Sequence, residues 1–144
     1  MNLKLLKGRG KLKLNILNSV RTNNFNDEQL IQKITGLWEE ASKHLTDSET
    51  TTFGVYHEYE SDYKGDYTLS IAIEENNGEG LLEISDKAKY EIFNVDTTKE
   101  HGVVRTWKKI WEREDAGTLN RAYTYDFEKY LPGGQVEIHI AVAE

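Results

Sequence analysis

The sequence contains no cysteine, a single proline and no long uninterrupted run of apolar residues. The absence of cysteine excludes a disulfide framework, a thiol nucleophile and a thiolate metal site, and it favours a reducing, cytoplasmic location. No segment approaches the ~20 apolar residues that a membrane span requires, and the N-terminal leucines are too interrupted to form a signal-peptide core. We therefore expect a cytoplasmic protein that does not associate with membranes.

Motifs for metal and cofactor chemistry are also missing from the sequence. The four histidines share no metal-ligand spacing; they are His44, His57, His101 and His139. The sequence has no Gly-x-Ser-x-Gly turn, no phosphate-binding glycine loop and no dinucleotide-binding fingerprint. We expect neither a metal nor a cofactor.

Positive charge is scarce and is concentrated near the N-terminus. The chain has 18 Lys and Arg against 25 Asp and Glu, a formal net charge of −7, which disfavours direct binding to nucleic acid. The clustered basic residues alternate with leucines: Lys4, Lys7, Arg9, Lys11 and Lys13. We interpret this segment as a basic strand at a sheet edge with a turn at Gly8-Arg9-Gly10; an arm that binds a partner or touches lipid is the alternative. Because an exposed edge can pair between copies, a monomer and a weak homodimer both stay open.

What the sequence does contain is enough apolar material for one folded domain over residues 1–144. Hydrophobic residues make up 38% and aromatic residues 10% of the 144 positions. Apolar residues recur at helical spacing between Leu30 and Leu45, and Asn26 followed by Gln29 has the spacing of a capping box, which predicts a helix that begins at Asn26. Alternating residues from Phe53 to Tyr59 and from Tyr67 to Ile73 predict a β-hairpin.

The second half repeats this order after a turn-rich connector at residues 76–80. A strand is predicted around Tyr90, and a helix opened by Thr97 carries an apolar face that includes Trp107. Two further strands are predicted at 121–128 and at 136–142.

A shift of 69 residues aligns the helix and hairpin of the two halves. It places Trp38 on Trp107, Tyr56 on Tyr125 and Gly65 on Gly134. We therefore predict an α+β fold of two tandem duplicated β-α-β-β units, at about 11–76 and about 87–143. Their pseudo-two-fold arrangement predicts an antiparallel sheet with two main helices and a central ligand cleft between the halves.

Aromatic side chains are the candidates for the walls of that cleft. The helices supply Trp38, Trp107 and Trp111, and the hairpins supply Tyr56, Tyr59, Tyr123, Tyr125 and Phe127. For Trp38 and Trp107 a plain core position is an equal alternative. Trp111, one turn beyond Trp107, is a candidate for the mouth of the cleft.

The C-terminal third carries the residues of a family resemblance. These are the run Asp126-Phe127-Glu128-x-Tyr130, the glycine turn after Pro132, an alternating strand from Val136 to Val142 and a tryptophan-bearing helix upstream. Together with the duplicated order of elements, this pattern resembles the GyrI-like effector-binding family. That family includes the ligand domains of bacterial multidrug-responsive regulators and free-standing single-domain relatives, and the resemblance extends from about Leu12 to the last strand.

The resemblance implies a domain that holds bulky lipophilic, often cationic molecules, with a glutamate on the cavity wall. Glu128 is the matching position. A carboxylate within an aromatic cleft is costly to desolvate alone, and a flat organic cation satisfies both the charge and the rings. Strict alternation, however, places Glu128 on the face opposite Tyr123, Tyr125 and Phe127, so a surface carboxylate remains the alternative for this residue.

Three functions follow from the resemblance. The first is a stand-alone binding protein for hydrophobic, cationic small molecules, which would act as a sensor or sequestering protein related to transcription regulators. The second is a hydrolase of reactive small molecules, with Glu128 as general base and Tyr56 or Tyr123 as hydrogen-bond donor. The third is binding to a partner protein, a regulator or DNA gyrase. We take the non-enzymatic binding protein as the working hypothesis.

Overall fold

The computed structural model describes residues 3–5, 11–45, 49–75 and 77–143. In chain order its elements are β1 (Leu3–Leu5), β2 (Leu12–Thr22), α1 (Leu30–Ser42), β3 (Thr52–His57), β4 (Tyr67–Glu74), β5 (Leu82–Ile84), β6 (Lys89–Asn94), α2 (Gly102–Asp115), β7 (Asp126–Tyr130) and β8 (Val136–Ala141). The strands form one antiparallel sheet, which with the helices confirms the predicted α+β class. Neither helix in this part of the chain is long and apolar enough to cross a membrane.

The strand order of the sheet is β1-β6-β8-β7-β3-β4-β2-β5. The first half of the chain contributes β2, β4 and β3, and the second half contributes β6, β8 and β7, each set with its helix between its first two strands in sequence. The halves meet where β3 pairs with β7, and there Gly54 lies opposite Glu128 and Tyr56 opposite Asp126. This junction is the centre of the sheet and positions the candidate site.

Side chains on one face of the sheet pack against one another, with no helix between them. Leu14 on β2 and Ile84 on β5 belong to one packed cluster with Tyr90 on β6, although β6 lies near the opposite end of the strand order. Phe53 and Phe127 fill the middle of this cluster, and their ring centroids are 5.6 Å apart. The sheet is therefore curled, and its inner face is a solid apolar core.

The helices cover the outer face. Leu37 and Ala41 of α1 pack with Leu69 and Ile71 of β4. On the other half, α2 packs with β8 through Trp107, Ile110, Ile138 and Ile140. Each helix thus covers its own half, and the central strands β3 and β7 lie between them.

Both helices begin later than predicted because polar side chains organise the preceding turns. α1 begins at Leu30 rather than at Asn26: Asn23 Oδ1 accepts hydrogen bonds from the N–H groups of Phe25 and Asn26, and Asp27 Oδ1 accepts from Gln29 N–H. Such side-chain turns compete with helical hydrogen bonding.

α2 likewise begins at Gly102, not at Thr97. Asp96 Oδ1 accepts a hydrogen bond from Thr98 N–H, and His101 precedes the helix in the left-handed conformation with φ of 56°. The two predicted helix starts are wrong, whereas the apolar faces of the helices are placed as predicted.

Two strand predictions also require correction. The segment predicted as one strand at 121–128 is extended only from Asp126, because Tyr123 has a φ of 55° and Arg121 forms only an isolated bridge with Val142. At the N-terminus, Lys13 does not lie on an edge, since the first residues of β2 pair with β5; among the described strands, β1 and β5 are the two outermost. The predicted turn at Gly8-Arg9-Gly10 lies outside the described residues.

Candidate ligand-binding site

A cavity of about 370 Å³ opens between α1 and α2 above the junction of β3 and β7. Half of the lining residues are aromatic: Trp38, Tyr56, Tyr59, Tyr63, Tyr67, Trp107, Trp111 and Tyr130. The others are the aliphatic Leu30, Ile31, Ile34, Val103 and Val104 and the polar Asn24, Arg121 and Glu128. An aromatic cavity with few polar groups is typical of a small-molecule site.

Helical spacing brings the tryptophans to the cavity. On α1, Ile34 and Trp38 are four residues apart, and on α2 Trp107 and Trp111 have the same spacing, so each pair lies on one helix face. Trp38 also packs edge-on against Tyr130, with ring centroids 5.2 Å apart, and Trp107 packs against Tyr56 at 4.9 Å. Both tryptophans are therefore packed residues and cavity wall at once.

Glu128 lies at the base of the cavity and is only 4% exposed. Its Oε2 accepts hydrogen bonds from Tyr56 Oη at 2.8 Å and from Trp107 Nε1 at 2.7 Å, and its Oε1 accepts one from Tyr130 Oη at 2.7 Å. Within the described part of the chain no Lys, Arg or His side chain pairs with this carboxylate. The alternative of a surface carboxylate is therefore wrong for Glu128.

The environment of Glu128 shifts its titration. Burial raises the pKa of Glu128, and the hydrogen bonds from Trp107, Tyr130 and Tyr56 oppose that rise because they favour the ionised form. Burial together with the Glu128 charge raises the pKa of Tyr56, so its hydroxyl stays protonated and remains a donor. Among the described residues, the charge of this acid is stabilised by aromatic donors and not by a counter-ion.

Gly54 makes room for that carboxylate and was not among the residues predicted for the site. A Cβ on Gly54 would lie 3.2 Å from Glu128 Oε1 and 3.6 Å from the Trp38 ring. The available signal was an isolated glycine inside an alternating strand, which often marks a close approach of another group to the backbone.

Arg121, also missed, lies beside the cavity in a second polar cluster. Its Nη2 donates to Asp126 Oδ2 at 2.8 Å, and its Cζ is 4.3 Å from the centre of the Tyr123 ring. Tyr59 donates its hydroxyl to the same Asp126 oxygen. No motif in the sequence indicates this cluster, because it is assembled by the fold.

Three predicted site residues do not line the cavity. Phe127 is fully buried in the core of the inner face, stacked at 4.6 Å on His139, and Tyr125 packs against the same core. Alternation directs Glu128 and Tyr130 outward and Phe127 inward, so their assignment to a common wall is corrected. Tyr123 lies behind Arg121 and donates its hydroxyl to Glu114.

The cavity has an apolar rim. Trp111 stacks on Tyr63, with ring centroids 5.1 Å apart and planes inclined by 10°, and Phe25 packs on both rings. Phe25, Ile31 and Val104 remain 56%, 72% and 52% exposed. The exposed surface beside the cavity is therefore apolar.

A family model described as Cass2, integron-associated effector binding protein, matches residues 16–142. Among solved structures, the crystal structure of an integron cassette protein from the mobile metagenome of Vibrio cholerae is similar, with 29% sequence identity and a TM-score of 0.68. That similarity covers 99% of this chain and 100% of the other. No curated protein matches the chain.

Proposed function

The chain belongs to the Cass2 family of integron-associated effector-binding proteins, and from this premise we propose that it is a receptor for hydrophobic organic cations. The ligand would occupy the cavity between α1 and α2, with its positive group near Glu128. Effector binding implies a small-molecule ligand, and the residues of the cavity favour a flat hydrophobic cation.

The observation that carries the proposal is the buried carboxylate of Glu128, with which no Lys, Arg or His side chain of the described residues forms an ion pair. Removing a carboxylate from water costs several kcal/mol, at an order of magnitude, unless a cation or enough hydrogen bonds compensate it. Asp126, two residues away, has Arg121 for this purpose, whereas Glu128 has three neutral donors. A ligand cation would supply the missing counter-charge.

The aromatic walls support the same class of ligand. Five tyrosine hydroxyls at the cavity donate to protein acceptors: Tyr56 and Tyr130 to Glu128, Tyr59 to Asp126, Tyr63 to Asp115 and Tyr67 to Asn24. The rings therefore offer faces rather than free hydroxyls. Each ring face next to a cation contributes about 0.5–2 kcal/mol, and such contacts select charge and rough shape rather than one compound.

We further propose that the chain is a single domain related to the GyrI-like proteins and that its halves arose by duplication. The sheet order supports this, since β2-β4-β3 and β6-β8-β7 are arranged alike about the β3–β7 junction. The cavity would then lie on the axis that relates Trp38 to Trp107.

The test is a pair of probes that share a frame and differ in charge: (biphenyl-4-yl)trimethylammonium and biphenyl-4-sulfonate. We expect the cation to quench tryptophan fluorescence with a micromolar Kd and the anion to bind at least about tenfold more weakly. Glu128→Gln should weaken cation binding at least about tenfold, since it removes a buried counter-charge. Glu39→Gln, an equal charge change at an exposed position of α1, is the matched control. Equal binding of both probes, or an unchanged Kd in Glu128→Gln, would contradict the proposal.

A hydrolase is the second candidate, favoured by one observation: the Tyr56 hydroxyl lies 2.8 Å from a glutamate whose pKa is raised by burial. Such a glutamate is suited to act as a general base. Tyr123 is dropped from this candidate because it does not line the cavity. Turnover of a strained electrophile that disappears in Glu128→Gln would establish the activity, and equal decay with and without protein would exclude it.

A further inference from the structure

Exposed apolar side chains are grouped at the opening of the cavity. Among the residues whose burial the structure describes, three large hydrophobic side chains are more than half exposed: Phe25 at 56%, Ile31 at 72% and Val104 at 52%. Ile31 and Val104 line the cavity themselves, and Phe25 packs on Tyr63 and Trp111, which also line it. Apolar side chains that are grouped on a surface mark a binding site more often than scattered single ones do.

The wall of the cavity continues outward into these exposed residues. On α2, Val104 lies three residues before Trp107, and on α1, Ile31 lies three residues before Ile34, so each pair shares a helix face. Trp107 is 9% exposed and donates to Glu128 at the base of the cavity, whereas Val104 is 52% exposed. The face of α2 therefore runs from the base of the cavity to solvent.

A large ligand has room to extend in one direction. The volume of about 370 Å³ lies near the lower end of the range of roughly 300–1,000 Å³ that is usual for small-molecule sites. Glu128 is 4% exposed, and the opposite face of the sheet beneath it is a packed core around Phe53 and Phe127. A ligand with its positive group near Glu128 can therefore extend only toward the opening, across Ile31 and Val104.

The lining along this route favours an apolar extension. Of its three polar side chains, Glu128 lies at the base, Arg121 is 1% exposed and ion-paired, and Asn24 accepts a hydrogen bond from Tyr67. The remaining lining residues are aromatic or aliphatic. An alkyl group would gain affinity by covering the exposed side chains, whereas a polar group would lose water without finding a partner.

We propose that Ile31 and Val104 form a second subsite for the same ligand, and that the preferred ligands are amphiphilic cations. The positive group lies near Glu128, an aromatic frame lies among the rings of the cavity, and a flexible alkyl tail covers Ile31 and Val104. This proposal rests on the proposed function and adds the length and the apolar tail of the ligand. It makes Ile31 and Val104 specificity-determining residues, which distinguish tailed cations from compact ones.

The experiment lengthens one cation in steps. (Biphenyl-4-yl)trimethylammonium is compared by isothermal titration calorimetry with its 4′-propyl and 4′-pentyl derivatives. Full transfer of a methylene group out of water tightens Kd about fourfold, and a methylene that stays half in water tightens it about twofold. The pentyl compound should therefore bind at least about tenfold more tightly than the parent. A 4′-(2-methoxyethoxy) tail, which has the same length but is polar, should bind within about threefold of the parent.

The double variant Ile31→Ser/Val104→Ser then assigns the tail to its subsite. Both side chains are more than half exposed, so their loss is tolerated by the fold. The quantity measured is the ratio of the Kd values of the parent and pentyl cations within each variant, which cancels a general effect on the cavity. That ratio should fall below about threefold in the double variant. Gln32→Ser, at the adjacent exposed position of α1, should leave the ratio unchanged.

Each other outcome overturns the proposal. If the three cations bind equally, or the ether tail is as good as pentyl, the tail subsite is wrong while the proposed function stands. If the pentyl advantage persists in the folded double variant, the tail lies elsewhere. If the free protein forms a dimer in sedimentation that the double variant loses, a second copy covers Ile31 and Val104 and the ligand does not. If none of the cations binds, the proposed function fails and the subsite fails with it.

Discussion

Asp126 and Glu128 lie two residues apart on β7, and both are almost completely buried, yet their carboxylates have different partners. Asp126 receives a guanidinium from Arg121, a hydroxyl from Tyr59 and the N–H of Ala141 at 2.8 Å. Glu128 receives three hydrogen bonds from aromatic side chains and faces a cavity. Under the proposed function, the comparison separates a carboxylate that holds the fold together from one that binds the ligand.

The largest expected effect is on the stability of the fold, and it tests the structural role of Asp126. Asp126→Asn leaves the Arg121 guanidinium buried without its main partner, and breaking a buried ion pair in this way costs about 3–5 kcal/mol. We expect that loss in the free energy of unfolding measured with urea. Glu83→Gln, which removes an exposed contact with Lys11, is the control and should cost less than about 1 kcal/mol. A similarly small cost for Asp126→Asn would show that Asp126 is not structural.

The second prediction concerns the free energy of unfolding of Glu128→Gln relative to the wild type, which should change with pH. Because burial raises the pKa of Glu128 in the folded protein, the folded state keeps this proton to higher pH than the unfolded chain does. Ionisation therefore favours the unfolded chain as pH rises from the ordinary pKa of 4.5 through the folded-state pKa. We expect the stability of Glu128→Gln relative to the wild type to increase over that range. A relative stability that stays constant, or falls with rising pH, would contradict the assigned shift.

A smaller effect is expected at Gly54, where the backbone of β3 approaches the Glu128 carboxylate. Gly54→Ala places a Cβ 3.2 Å from Glu128 Oε1, so the carboxylate must move by a few tenths of an ångström. We expect a loss of about 1 kcal/mol in stability and a several-fold weaker Kd for the biphenyl cation. Gly36→Ala in α1, where nothing lies within 4 Å of the added Cβ, should instead stabilise by about 0.5–1 kcal/mol and leave the Kd unchanged. If both variants bind the cation alike, Gly54 has no part in the site.

The smallest expected effect tests how the hydrogen bonds to Glu128, as distinct from its burial, set its pKa. Tyr130→Phe keeps the ring but removes a donor that lowers the pKa of Glu128. The pKa should rise further, so the pH at which cation affinity is half-maximal should move upward, and the affinity measured at the wild-type half-maximal pH should fall about two- to threefold. Tyr90→Phe removes a buried hydroxyl on the inner face that bonds to the Tyr125 carbonyl, and it should leave the affinity profile in place. Identical profiles for the two variants would mean that Tyr130 does not tune Glu128.

Local periodicity predicted much of this molecule. The alternation of β3 and β4 and the apolar faces of the helices follow directly from residue spacing. The helix starts did not follow, since Asn23 and Asp96 form local turns that compete with capping.

The candidate site was only partly predictable, because it depends on contacts between distant strands. Alternation alone showed that Glu128 and Phe127 face opposite sides of the sheet, but not which side carries the cavity. That choice is set by where the helices pack. Gly54 and Arg121 belong to the site only through the pairing of β3 with β7 and the return of residues 121–123 beside α2, neither of which has a local sequence signal.

The most direct test of the cation-receptor account is the titration of Glu128 itself. Its side-chain carboxyl is followed by ¹³C NMR between pH 3 and pH 9, in the free protein and with saturating (biphenyl-4-yl)trimethylammonium. A bound cation favours the ionised carboxylate, so the pKa of Glu128 should be elevated in the free protein and should fall when the ligand binds. The same pKa in both states, with the ligand demonstrably bound, would contradict the claim that Glu128 is its counter-charge.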